Sequence, residues 1–166
     1  MNSIKSVNDI KGKKVLLRVD FNVPVSEGMV SDDFRIKRTL PTIEYLREKG
    51  AKVILISHFD SKEGDSMEVL LPYLRTYFKI DFVKDIFGED VRGRVDSMEN
   101  SDVILLDNLR KWKGEEVNDA SFAEHLSSLA DIYVNEAFSV SHRKHASIVG
   151  VPKIIPSYAG ILFEKE

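Results

Sequence analysis

The rhythm of the chain constrains its fold more than any single motif. Short, near-continuous apolar runs alternate with longer stretches whose apolar residues recur at helical spacing. The runs at 14–21 (KVLLRVDF), 51–57 (AKVILIS), 80–83, 102–106 (DVILL) and 131–135 (DIYVN) read as strands. Strands apolar on both sides must be covered on both sides, which is the habit of parallel sheets. Between them, 35–49 places Ile36, Leu40, Ile43 and Leu46 close to one helical face and stops at Gly50, a helix-ending residue. Further helices are predicted over 65–78, over the more polar 89–98, over 119–129 with Asp119 as its cap, and over 158–165.

Strand–helix alternation of this kind implies right-handed crossovers. The predicted fold is α/β: a doubly wound, mainly parallel sheet with helices on both faces, a Rossmann-like three-layer sandwich. A length of 166 residues, 43% of them hydrophobic and 31% charged, fits one soluble domain with a sizeable core. The net charge of −3 gives no overall attraction to nucleic acid or to an anionic membrane, so neither is an expected partner and any anion site must be local. Cysteine is absent, which excludes disulfides and thiolate metal sites. The start has no apolar signal-peptide core and no run is long enough to span a bilayer, so a cytoplasmic location is expected.

In such sheets ligands collect outside the carboxyl ends of the strands. The first strand leads into Asp20, Phe21 and Asn22, then through a turn-rich loop to Arg35 at the start of a helix. His58 follows the second strand, Asn108 and Arg110 the fourth, and His142, Arg143, Lys144 and His145 the fifth. If the sheet is parallel these groups share one rim and form a basic cleft in a mildly acidic chain. Arginine suits phosphate and carboxylate because its planar fork makes paired, charge-assisted hydrogen bonds. The expectation is a site for a small, multiply charged anion. Each residue also has a plainer reading. A loop arginine is usually a solvated surface charge, and Asp20-Phe21-Asn22 before Val23-Pro24 also fits a turn. His142 and His145 have no carboxylate or thiolate at ligand spacing, so no metal is expected. Neither GxxxxGK[ST] nor a GxGxxG turn is present, so no nucleotide cradle is visible.

The run RVDFNVP at 18–24 resembles a signature of the phosphoglycerate kinase family. Supporting stretches stand in the family's order: DDFRI at 32–36, LPTIEYL at 40–46, GAKVILISH at 50–58, DNLR at 107–110, SLADIYVNEAF and HRKHAS within 128–147, and SYAGILFEKE at 157–166. The resemblance implies the amino-terminal domain, 1–166, of a two-domain glycolytic enzyme that converts 1,3-bisphosphoglycerate and ADP into 3-phosphoglycerate and ATP. It implies 3-phosphoglycerate or 1,3-bisphosphoglycerate as ligand and a monomeric parent enzyme. Mg-ADP or Mg-ATP would be bound through a carboxyl-terminal domain that this chain lacks, leaving no cofactor here. On this resemblance Asp20 and Asn22 hold the hydroxyl and carboxyl end of the glycerate. Arg35 reaches the carboxylate and the transferring phosphoryl group, as the catalytic residue. His58, Arg110 and Arg143, with His142 beside them, form a basic patch around the other phosphate.

The chain departs from the family pattern in three places. Where the pattern reads SHLGRP, residues 57–62 read SHFDSK, so Ser61 replaces a phosphate-binding arginine and Asp60 adds negative charge beside it. Where it reads NDAFGTAHR, residues 135–143 read NEAFSVSHR, so Ser139 replaces a glycine expected to need unusual dihedrals. The segment after His58 is also shorter. Because no nucleotide site is visible, the expected protein is a half-site, inactive alone. The competing reading is a diverged, non-catalytic module for a phosphate ligand or a protein. An unrelated flavodoxin-like domain would fit the topology but not RVDFNVP.

Overall fold

The computed structural model describes residues 1–165. Among them, in chain order, are β1 (Lys14–Arg18), β2 (Val25–Ser26), β3 (Met29–Val30), α1 (Phe34–Glu48), β4 (Lys52–Ile56), α2 (Leu71–Leu74) and β5 (Asp81–Val83). There follow α3 (Glu89–Asp96), β6 (Val103–Leu106), α4 (Lys113–Glu116), α5 (Ala120–Ser128), β7 (Ile132–Asn135), β8 (Ser157–Ala159) and α6 (Ile161–Lys165). Six strands form one sheet in the order β5-β6-β4-β1-β7-β8, and every pairing in it is parallel. The sheet winds outward from β1 in both directions, to β4 on one side and β7 on the other. Ligand crevices open where a sheet changes winding direction in this way.

The strand side chains alternate as the pleat requires. Val15, Leu17, Val53, Leu55, Val103, Leu105 and Val134 enter a core shared with α1 and the 67–74 segment. Leu16, Ile54, Ile56, Ile104, Leu106 and Tyr133 enter a second core shared with α3 and α5. The two cores are the two faces of one sheet, and the predicted three-layer architecture is what forms. Asp119 caps α5 as expected, its carboxylate accepting the Phe122 N–H at 2.9 Å.

Three sequence expectations are corrected. Residues 65–78 do not form one helix: a 3₁₀ turn at Met67–Leu70 precedes the short α2, and the break falls at Pro72, which has no N–H to give and so sits in a helix's first turn. Residues 157–159 are strand rather than helix, because Ser157–Ala159 adds to the β7 edge in register Tyr133↔Ser157. Helix begins only after Gly160, where the Glu136 side chain occupies the space a Cβ would need. Ser139 needs no glycine-like dihedral: residues 138–140 form a 3₁₀ turn, and Ser139 is not among the positive-φ residues. The antiparallel β2–β3 hairpin was not anticipated. Glu166 lies outside the described residues.

Candidate functional site

Because the sheet is parallel, the residues that follow β1, β4, β6 and β7 all emerge on one rim. Asp20 is buried there. Its Oδ1 accepts the Asn22 N–H at 3.2 Å, and its Oδ2 accepts the Ser139 hydroxyl. The first turn of α1 brings Arg35 over this pair. One guanidinium nitrogen donates to the Asn22 carbonyl at 2.8 Å and stands 3.5 Å from Asp20 Oδ2. Half of the Arg35 side chain remains exposed, so it is anchored yet accessible. Arg35 and Phe34 line two adjoining cavities. One, of about 390 Å³, also has Asn22, Asp32 and Asp60 in its wall. The other, of about 320 Å³, has Asp20, Arg38, Glu136 and Ser139.

His58 is buried against a buried cation, Arg18. Its Nδ1 lies 3.1 Å from an Arg18 guanidinium nitrogen. Burial first, and the Arg18 charge second, push the His58 imidazole down to about 3. The ring is therefore neutral near pH 7, and Nδ1 accepts because guanidinium can only donate. In this geometry His58 adds a hydrogen-bonding edge to the basic patch rather than a charge. Arg18 is fully buried at the end of β1 and also donates to Ser147 Oγ at 2.9 Å. Ser147 in turn donates from its hydroxyl (2.6 Å) and its N–H (2.7 Å) to the buried Glu115 carboxylate. Burial lowers the Arg18 pKa, and the Glu115 charge works in the opposite direction.

Arg110 stands beside this core with most of its side chain covered, 3.8 Å from Asp60 and 3.9 Å from Glu116. Both separations are too long for hydrogen bonds. Its Nε is buried without a hydrogen-bond partner among the described residues, as is His145 Nδ1. The charges of Arg110 and Arg143 both depress His58 and His145, so the groups after β4, β6 and β7 converge electrostatically. Ser61 and His142 are placed differently. Ser61 accepts the Glu63 N–H at 3.1 Å and lines a separate cavity with Phe59 and Glu63. His142 is solvent-exposed and lines neither of the cavities at Arg35.

The arrangement can hold an anion. It offers a positioned guanidinium at Arg35, a hydroxyl-accepting carboxylate at Asp20, and a cationic flank at Arg110 and Arg143. Among the described residues no group of three or more His, Cys, Asp or Glu is positioned to hold a metal ion.

A family profile described as phosphoglycerate kinase matches residues 4–166. The chain belongs to the phosphoglycerate kinase family.

Individual members agree with this. The phosphoglycerate kinase of Dictyoglomus turgidum is 48% identical over 164 residues, covering 95% of this chain and 41% of the relative. That of Wolbachia pipientis from Culex pipiens is 49% identical, again over 95% and 41%. Among solved structures, the phosphoglycerate kinase of Pyrococcus horikoshii superposes with a TM-score of 0.85 at 34% identity, over 99% of this chain and 44% of that one. The Coxiella burnetii enzyme gives 0.86 at 31%, over 98% and 42%. The chain thus spans about two fifths of the length of the phosphoglycerate kinases it matches.

Strand-end reasoning placed Asp20, Asn22, Arg35, His58, Arg110 and Arg143 on one rim, and the parallel sheet brings them there; it did not single out Arg18, Glu115 and Ser147. Arg18 sits inside a predicted strand, and a lone charge within an apolar run was the available signal. Glu115 and Ser147 carried no local signal, because each is polar in a segment that reads as surface.

Proposed function

We propose that this chain is the acid-substrate half of a phosphoglycerate kinase. It binds 3-phosphoglycerate or 1,3-bisphosphoglycerate on the carboxyl rim of the sheet, and the rest of the enzyme carries Mg-ADP or Mg-ATP. The observation that carries this reading is Arg35, fixed by the Asn22 carbonyl and Asp20 yet half exposed over the cavity. Asp20 and Asn22 receive the glycerate hydroxyl and carboxyl end. Arg35 contacts the transferring phosphoryl group and neutralises charge on its equatorial oxygens. Arg110 and Arg143 hold the second phosphate, with the neutral His58 edge beneath. His142 and Ser61, which the resemblance adds to the ligand set, line neither of the cavities at Arg35. The chain alone holds one reactant of two and is inactive. Its parent is monomeric and cytoplasmic.

A diverged binding module without catalysis remains the second reading, favoured by Ser61, whose hydroxyl is spent within its own loop. Calorimetric titration with 3-phosphoglycerate separates the two. The proposal expects saturable binding, weakened at least about tenfold by Arg35→Ala or Arg110→Ala, as loss of a charge-assisted contact implies. Absence of binding by a folded sample rejects it.

A further inference from the structure

Arg110 is the cation best buried on the open side of the site, yet no ligand is needed to supply it with negative charge. On one side stands Glu116 and on the other Asp60, whose carboxylate lies 3.8 Å from an Arg110 guanidinium nitrogen. Asp60 differs from Glu116 in position. It lines the cavity that also contains Asn22 and Arg35, and its carboxylate is the group that links that cavity to Arg110, which is not itself in the cavity wall. Its backbone is fixed, the N–H donating to Asn22 Oδ1 at 2.8 Å. Its side chain is not fixed: it is 75% exposed, and 3.8 Å is a Coulombic contact without a hydrogen bond.

We propose that Asp60 is a tethered internal competitor for the phosphate of the ligand, a specificity-determining residue that holds Arg110 until an anion displaces it. The inference rests on the proposed phosphate-bearing ligand. Displacement is feasible because an exposed ion pair is weak in water and its side chain is free to swing away. Discrimination follows from the remaining contacts. A ligand anchored also at Asn22, Asp20 and Arg35 is held at the cavity while Asp60 swings out, whereas a free inorganic anion has no anchor beyond the Arg110 and Arg143 flank. Negative charge placed against a binding cation raises the threshold for all anions and leaves occupancy to those with a second anchor.

The test uses the chain as it stands, with inorganic phosphate as probe, Trp112 fluorescence as readout and calorimetry as a check. Asp60→Asn keeps the shape and the backbone tether and removes the charge. It is expected to tighten inorganic phosphate by about three- to fivefold, as removal of one exposed competing charge implies. In an Arg110→Ala background the same substitution is expected to change affinity by less than about twofold, because the contact it relieves is gone. Equal affinity in the parent and Asp60→Asn proteins, an equal gain without Arg110, or no phosphate binding by either protein each overturns the proposal. A parallel titration with 3-phosphoglycerate on Arg35→Ala judges the glycerate reading separately. Tighter phosphate binding by Asp60→Asn with no Arg35-dependent glycerate binding would keep the competitor and reject that reading. Arg35-dependent binding with no effect at Asp60 would do the reverse.

Discussion

His58 shows how a single residue ties binding to stability. It is buried, accepts from Arg18 and is held neutral, with its pKa pushed from the usual 6.5 down to about 3. Between those values the unfolded chain binds a proton that the folded chain does not. Stability contributed by neutral His58 is thus complete above about pH 6.5 and is lost as pH falls towards 3. Urea unfolding at several pH values should show stability falling through this window, and His58→Gln, which cannot titrate but offers an acceptor, should flatten the slope. An unchanged slope would mean that the ring is protonated in the folded protein. The same residue shows the limit of strand-end reasoning. Its position after β4 was legible, but its charge state depends on Arg18, 40 residues earlier, and on burial that no local pattern encodes.

At the scale of elements, the basic rim is supported from beneath by a relay that joins three segments: β1 through Arg18, the turn Ala146–Gly150 through Ser147, and α4 through Glu115. Arg18 and Glu115 are buried charges that meet only through Ser147, so each depends on the other's presence. Glu115→Gln is expected to cost about 3 kcal/mol, because it leaves a buried guanidinium without its counter-charge. Ser147→Ala should cost less, about 1–3 kcal/mol for the unsatisfied groups it leaves. Equilibrium denaturation with an unchanged m-value would check both. A Glu115→Gln protein as stable as the parent would mean that Arg18 is balanced elsewhere. Strands β1, β4, β5, β6 and β7 and helices α1, α3 and α5 were legible because their apolar patterns are local. The short α4, the 146–150 turn and β8 were not. Four or five residues carry too little periodicity, and β8 exists because β7 offers an edge.

The whole molecule carries a net charge of −3 yet gathers Arg18, Arg35, Arg110 and Arg143 on one rim of its sheet. The opposite rim, where Gly12, Gly50 and Asp131 lie before β1, β4 and β7, serves as an internal reference surface. The proposed function requires a phosphorylated three-carbon acid to bind at the carboxyl rim, over β1. Backbone amide shifts in a ¹⁵N-labelled sample titrated with 3-phosphoglycerate read that location directly. Saturable perturbations are expected at Asp20, Asn22, Arg35, Arg110 and Arg143, weakening as salt screens the site, with Gly12, Gly50 and Asp131 unmoved. Perturbations centred on the opposite rim, or none from a folded sample at millimolar ligand, would contradict the proposed function.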